Sequence, residues 1–220
     1  FSASVPPTMS REGAARAVTN LAWANISTTS AAAHRAATSW SNALARDGGA
    51  AFGNEDERGA LLPLRRAAAR LLRADAADVY VGSSASELLC NLAWSIRPAR
   101  GSNIVSTAAA FPSTVYPWQR VAADQGAEVR LAAHNADFFT PASRILDLVD
   151  ENTSVIALSH VEYINGQRYD LPMFADAAQA VGARLVVDAT QSLGVVPIDA
   201  YACGADAIVA SGYKWLRGPF

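Results

Sequence analysis

Apolar and polar positions follow two different periods along the chain. Apolar residues at three- and four-residue spacing predict helices at 11–24, 31–46, 59–73, 87–96, 114–125, 141–149 and 172–181. Short apolar runs predict strands at 79–82, 103–106, 128–131, 154–158, 184–188 and 207–210. Several of these runs are apolar on both parities, as strands covered on both faces must be. The pattern therefore predicts an α/β fold of three layers, with a mostly parallel sheet between two layers of helices.

The same pattern divides the chain near residue 75. Residues 1–75 are rich in alanine and predict a helical lead-in, with a loop at 48–59, whereas residues 76–220 predict a single α/β domain. The sequence begins at Phe1 without a methionine and stops after Gly-Pro-Phe, so we expect both ends to be cut.

Composition excludes several classes of function. Half of the 220 residues are hydrophobic, at 51%, which is enough for a sizeable core. The net charge of -2 and the scattered basic residues argue against nucleic-acid binding, and no apolar run is long enough to cross a membrane. Without a signal-peptide pattern, we expect a cytoplasmic protein. Cys90 and Cys203 are expected to be buried and reduced, and the scattered histidines give no metal site.

Ligands of open α/β sheets bind at the carboxyl ends of the strands, so the residues after each run are the candidates. After 79–82, a turn of small residues enters a helix, where free N–H groups and the hydroxyls of Ser84 and Ser86 can hold a phosphate. An N-cap role for Ser86 explains the same turn without a ligand. The turn matches neither common nucleotide-binding motif.

Three further candidates follow other strands. Phe111 comes after 103–106 and either stacks on a flat ring or packs in the core. Asp188 ends an apolar run, where an unpaired carboxylate is unfavourable, so it needs a cationic or donating partner; a helix-capping Asp with Gln191 at the surface is the alternative. Lys214, between Tyr213 and Trp215, follows 207–210. One ligand accounts for the phosphate turn, the aromatic ring, the carboxylate and the amine, namely pyridoxal 5'-phosphate (PLP).

The motifs GSSASE, FPSTVYPW, SHVEYINGQRYDL, VVDATQSLG and SGYKWLRGP also resemble a known family over residues 79–220. Their order is that of the class V aminotransferase-like group of fold-type I PLP enzymes, which includes cysteine desulfurases, isopenicillin N epimerase and kynureninase. The resemblance implies that Lys214 is the Schiff-base lysine, that Asp188 is the pyridinium partner, and that both are catalytic. It implies further cofactor contacts for Ala85, Ser86, Phe111, Tyr163, Gln191, Ser211 and Tyr213.

In this resemblance, Ala85 and Ser86 belong to the phosphate-binding turn, and Ser211 and Tyr213 also contact the phosphate. Phe111 stacks on the ring, and Gln191 and Tyr163 lie beside its phenolic oxygen.

The resemblance implies an enzyme that acts on an amino acid, by lyase chemistry (C–S or other β-elimination) or by aminotransferase chemistry. Phe111 replaces the histidine of cysteine desulfurases, as in the kynureninase and epimerase branches, which argues against a desulfurase. An epimerase and a non-catalytic PLP-binding module are the alternatives. The family also implies a homodimer with shared sites and a small C-terminal domain that is absent from this segment. Arg168 and Arg217 are candidates for contact with the substrate carboxylate.

Overall fold

A parallel β-sheet forms the centre of the protein, for which a computed structural model describes residues 19–219. The strands are β1 (Asn103–Thr107), β2 (Glu128–Ala132), β3 (Thr153–Ser159), β4 (Arg184–Asp188) and β5 (Ala207–Val209). Their order across the sheet is β2-β1-β3-β4-β5, and each neighbouring pair is parallel. All four carboxyl ends of β1, β3, β4 and β5 therefore point to the same edge of the sheet.

Helices cover both faces of this sheet. They are α1 (Ala31–Asp47), α2 (Asn54–Gly59), α3 (Leu62–Leu72), α4 (Ala85–Ile96), α5 (Pro112–Gln125), α6 (Ala142–Leu146) and α7 (Leu171–Val181). Trp118 of α5 and Leu89 of α4 pack with Val155 on one face, whereas Phe174 of α7 packs with Ile156 on the other. The apolar residues of β3 thus alternate between two cores, as a strand covered on both faces requires. The three-layer α/β architecture predicted from the sequence is confirmed.

Local sequence explains where the two helices nearest the sheet edge begin and end. The hydroxyl of Ser84 accepts the N–H of Glu87 and caps α4. Pro112 occupies the first turn of α5, where its missing N–H has no consequence. Gly126 ends α5 at a φ of 76°, a left-handed conformation that favours glycine. Both helix starts consequently lie at the carboxyl edge of the sheet.

The predicted strand at 79–82 is wrong. Val79 has an extended backbone, but residues 79–82 make no strand pairing with any described part of the chain. Val79 and Tyr80 line the same cleft as Ala207 and Ile208 of β5, without pairing with that strand. The apolar pattern correctly predicted an extended backbone at Val79. A strand also needs a neighbouring strand to form hydrogen bonds with, and residues 19–219 do not provide one.

Other boundaries differ from the prediction. The helix predicted at 11–24 lies outside the described residues up to residue 18, and residues 19–24 are not helical. The predicted loop at 48–59 ends in the short helix α2, whose first turn is rich in acidic side chains that suit a helix start. The helix predicted at 141–149 is shortened to α6.

The thiols and the surface complete the description. Cys203 is buried, as predicted, but Cys90 is exposed on α4, so its predicted burial is wrong; neither forms a disulfide within the described chain. Cys90 follows the helical period of α4 but falls on the face turned away from the sheet. No helix within residues 19–219 is long and apolar enough to cross a membrane.

Candidate active site

One pocket lies at the carboxyl edge of the sheet, between the strand ends and the start of α4. The nine residues that the resemblance assigns to the cofactor all line it: Ala85, Ser86, Phe111, Tyr163, Asp188, Gln191, Ser211, Tyr213 and Lys214. Ser84, Arg168 and Arg217 do not line it: the Ser84 hydroxyl caps α4, and Arg168 lines a different cavity. Sequence reasoning missed Ser113, Ser159, Val161 and Thr190, which also line it. The pocket thus combines one cation, one anion, aromatic rings and several hydroxyls.

Asp188 lies at the end of β4, where its carboxylate is almost fully buried. Its Oδ2 accepts a hydrogen bond from the Thr114 hydroxyl at 3.0 Å, and its Oδ1 accepts the backbone N–H of Thr190 at 2.9 Å. The hydroxyl of Thr190 in turn accepts the N–H of Ser211 at 3.1 Å, which connects the ends of β4 and β5. These donors stabilise a buried negative charge and fix its orientation in the pocket.

Lys214 is buried beside this carboxylate, with 8% of its surface exposed. Burial lowers the pKa of its ammonium group, and the charge of Asp188 acts in the opposite direction. Its Nζ lies 5.7 Å from the ring centre of Phe111 and 5.9 Å from that of Tyr213. Lys214 is also the only lysine in the sequence, a compositional signal that sequence reasoning did not use. The protein therefore holds a single, partly desolvated primary amine of this type in the pocket.

Phe111 is exposed at the pocket rather than packed in the core, so the core interpretation of this residue is wrong. Its ring meets that of Tyr163 edge to face, at 5.1 Å between centres and 82° between planes. A phenylalanine with 41% of its surface exposed beside a lysine leaves an apolar face available to a planar ligand.

The serine turn provides a second, polar end of the pocket. Because Ser84 is the N-cap of α4, Ser86 is not, and the N-cap interpretation of Ser86 is wrong. The Ser86 hydroxyl instead lies 2.7 Å from that of Ser113 in the first turn of α5. Ser83 donates its N–H and hydroxyl to Glu87, and these bonds lower the pKa of the Glu87 carboxyl. Two helix starts and a pair of hydroxyls therefore converge where an anion is favoured.

Gln191 uses both ends of its amide. Its Nε2 donates to the carbonyl of Ala24 at 2.8 Å, and its Oε1 accepts the indole N–H of Trp215 at 3.2 Å. Since an amide nitrogen carries two hydrogens, the second one remains for a ligand in the pocket.

Residues 23–30, which we call the N-terminal strap, lie against the loop that carries Lys214. Ser27 donates both its N–H and its hydroxyl to the carbonyl of Tyr213, at 3.2 and 3.0 Å. Arg217 donates to the carbonyl of Thr28, and its guanidinium lies 5.0 Å from the ring centre of Trp23. Because Arg217 contacts the strap, we interpret it as a structural residue that supports the loop of Lys214.

These features define an α/β protein with a lysine-centred pocket at the carboxyl edge of its sheet. The chain belongs to the class-V aminotransferase family, whose model matches residues 28–220. It is 29% identical over 155 residues to a probable cysteine desulfurase of Methanothermobacter thermautotrophicus, which covers 70% of this chain and 38% of that protein. It is 33% identical over 119 residues to a cysteine desulfurase of Escherichia coli, which covers 54% of this chain and 29% of that one.

Solved structures share the fold. The cysteine desulfurase CsdA of Escherichia coli superimposes with a TM-score of 0.77 at 23% identity, covering 90% of this chain and 51% of that one. The cystine C-S lyase C-DES, in complex with cysteine persulfide, superimposes with a TM-score of 0.81 at 22% identity, covering 90% and 54%. The chain thus spans about two fifths or less of the curated relatives and about half of these structures.

Proposed function

We propose that this chain belongs to a PLP-dependent enzyme that acts on an amino acid, by lyase chemistry of the C–S or other β-elimination type. The observation that carries the proposal is the pocket itself, in which Lys214, Asp188, an exposed aromatic ring and paired serine hydroxyls lie together. No simple structural role explains why a buried lysine and a buried carboxylate share a pocket with an exposed phenylalanine.

The residues present fit PLP group by group. The Ser86 and Ser113 hydroxyls and the starts of α4 and α5 would hold the phosphate, with Ser211 and Tyr213 on the β5 side. Phe111 would cover one face of the ring, and Asp188 would face the ring nitrogen. Tyr163 and Gln191 would lie beside the phenolic oxygen, and Lys214 would link to the aldehyde carbon. When bound, the cofactor supplies an electron sink for the bond that breaks at the substrate α-carbon.

The chain's own residues supply the proton chemistry. Asp188, held by Thr114 and Thr190, would hold a proton at the ring nitrogen because its carboxylate is fixed at the end of β4. Lys214 would remove the proton at the substrate α-carbon, and burial favours its neutral, basic form. Phe111 carries no titratable group, so Lys214 is the base at this face.

Lyase chemistry is preferred because the relatives named above include desulfurases and a cystine C-S lyase. Aminotransferase chemistry on the same pocket is the nearest variant. An epimerase remains the second candidate, favoured by the phenylalanine at position 111. Incorporation of solvent deuterium at the α-carbon without loss of amine would distinguish it. A non-catalytic PLP-binding module would show the bound cofactor with neither product nor exchange.

The test is a visible absorption spectrum of the purified protein with PLP, followed by borohydride reduction and peptide mass mapping. We expect a yellow protein whose added mass lies on Lys214. Lys214→Arg, which retains the charge but cannot form the covalent link, is the matched control and should stay colourless. Cysteine, cystine and other amino acids are then tested for release of sulfide, pyruvate and ammonia. A colourless wild-type protein that carries no added mass would refute the proposal.

We also propose a homodimer with shared active sites, in which exposed apolar side chains of residues 31–72 contact a second copy. In support, α1 has no buried residue, and its Trp40 and Leu44 are partly exposed, as are Leu61 and Leu64. Sedimentation at equilibrium should give twice the chain mass, and a single-chain mass would refute this. We propose a cytoplasmic location, in keeping with the unpaired Cys90 and Cys203, which cell fractionation tests.

A further inference from the structure

Residues 160–169 form a hairpin that carries Tyr163 to the pocket. The N–H of His160 donates to the backbone carbonyl of Asp188 at 2.9 Å, so the hairpin starts directly beside the site. Val161 and Arg168 then pair in antiparallel fashion. Because Tyr163 meets Phe111 edge to face, the position of this hairpin sets one wall of the pocket.

Glu162, the residue before Tyr163, is buried beneath this hairpin, with 1% of its surface exposed. Its Oε1 accepts the hydroxyl of Thr107, at the end of β1, at 3.1 Å. Its Oε2 has no hydrogen-bond partner and no contact with solvent, and the same is true of the hydroxyls of Tyr169 and Thr140. Buried polar atoms without partners are rare and need an explanation.

The surroundings of Glu162 favour its neutral form. Burial raises the pKa of its carboxyl to about 7, because hydroxyl neighbours compensate an ionised carboxylate poorly. The Asp188 carboxylate at the end of β4 adds to this rise, while Thr107 and Ser159 oppose it. Burial and the charge of Glu162 also raise the pKa of Tyr169, which stays a neutral phenol. A neutral Glu162 gains an O–H donor, which an ionised one lacks.

We propose that Glu162 is a positioning residue: its buried carboxyl anchors the hairpin of residues 160–169 on the end of β1 and thereby holds Tyr163 against Phe111. Ionisation of this carboxyl leaves a buried charge that its hydroxyl neighbours compensate only in part, and the hairpin can relieve it by opening to water. The pocket wall therefore loosens as the pH rises through neutrality. The consequence for the cofactor rests on the proposed function, whereas the behaviour of the hairpin does not.

Hydrogen exchange of the hairpin amides tests this in the protein without cofactor. The reporters are the amides of Glu162, Gly166 and Tyr169, which donate to carbonyls within the hairpin. With a carboxyl pKa of 4.5 in the open hairpin and about 7 in the closed one, the opening constant rises about tenfold between about pH 6 and about pH 8.5. After correction for intrinsic rates, we expect protection to fall by that factor.

Two variants separate the anchor from a general effect of pH. In Glu162→Gln, which cannot ionise and can still accept from Thr107, protection should be the same at both pH values. Glu151→Gln, at an exposed position, should behave like the wild type. Equal wild-type protection at both pH values would overturn the proposal, even if Glu162→Gln did not fold. A loss in Glu162→Gln equal to that of the wild type would overturn it as well.

A second measurement follows the cofactor. The dissociation constant of PLP, obtained from the visible band, should rise with pH in the wild type more steeply than in Glu162→Gln. If no PLP binds at all, the proposed function fails while the exchange result still decides the role of Glu162. If PLP binds with the same pH dependence in both proteins, the anchor does not act on the pocket.

Discussion

The hydroxyl of Thr114 is the only side-chain donor among the hydrogen bonds described for the Asp188 carboxylate, and its removal gives a sharp prediction. Thr114→Val keeps the shape of the side chain but leaves Asp188 with the N–H of Thr190 alone. Both partners are buried, so water cannot easily replace the lost donor. Since a hydrogen bond to a charged group contributes about 1.5–3 kcal/mol, we expect the free energy of unfolding to fall by about that amount.

The assay is urea unfolding of the protein without cofactor, followed by circular dichroism and analysed by linear extrapolation. Thr114→Ser is the matched control, because it keeps the hydroxyl and loses only a methyl group. We expect it to retain most of the stability. In the same variants, PLP affinity should fall by a factor on the order of three to ten in Thr114→Val, because a freed Asp188 side chain must be ordered again on binding.

Two outcomes would refute this reasoning. If Thr114→Val unfolds within about 0.5 kcal/mol of the wild type, the hydroxyl does not stabilise the carboxylate. If Thr114→Ser loses as much as Thr114→Val, the methyl contact rather than the hydrogen bond matters.

Three further predictions concern other parts of the molecule. Hydrogen bonds, above all the one from Arg130, lower the pKa of Asp150 from 3.8 to about 2. The stability that this carboxylate adds is therefore present above pH 3.8 and lost as the pH falls through about 2. During acid titration Asp150→Asn should lose stability less steeply than the wild type, and identical curves would contradict this. Gly204→Ala should lower the melting temperature, because φ is 72° and the new Cβ would lie 2.6 Å from that of Ala175; an unchanged value would show that α7 moves freely. Ser27→Ala removes the hydroxyl that donates to the carbonyl of Tyr213, so the loop that carries Lys214 should be held less firmly and PLP should bind several-fold more weakly. The visible band of bound PLP measures this affinity, and equal affinity would argue against a role for the strap.

The sheet was predictable because burial on both faces leaves a simple mark on the sequence. Runs such as 154–158 and 184–188 are apolar at successive positions, and they became β3 and β4. The run at 79–82 carries the same mark but has no pairing partner within the described chain. Pairing joins residues far apart in sequence, so no local pattern reports it.

The pocket residues were predictable for a related reason, since the carboxyl ends of parallel strands meet at one edge. Lys214 and Asp188 carry unusual chemistry after apolar strands and therefore stood out. Thr114 and Thr190 were not recognised as site residues, because threonine hydroxyls are common at helix starts and in loops whether or not a ligand binds there. Glu162 looked like an ordinary loop acid, and only the packing of its hairpin on β1 shows that it is buried.

The strap has a consequence for how the protein folds. Its two side-chain hydrogen bonds with the lysine loop connect residues that are separated by 186 and by 189 positions in the sequence. Most of the sheet, in contrast, is assembled from strands and helices that are closer together in the sequence. Closing so long a loop is slow and gains little until both partners are ordered. The lysine loop therefore reaches its final shape late, after the sheet exists. During refolding, the capacity to capture PLP should appear after the circular dichroism signal of the helices, and simultaneous recovery would show that the loop is ordered without the strap.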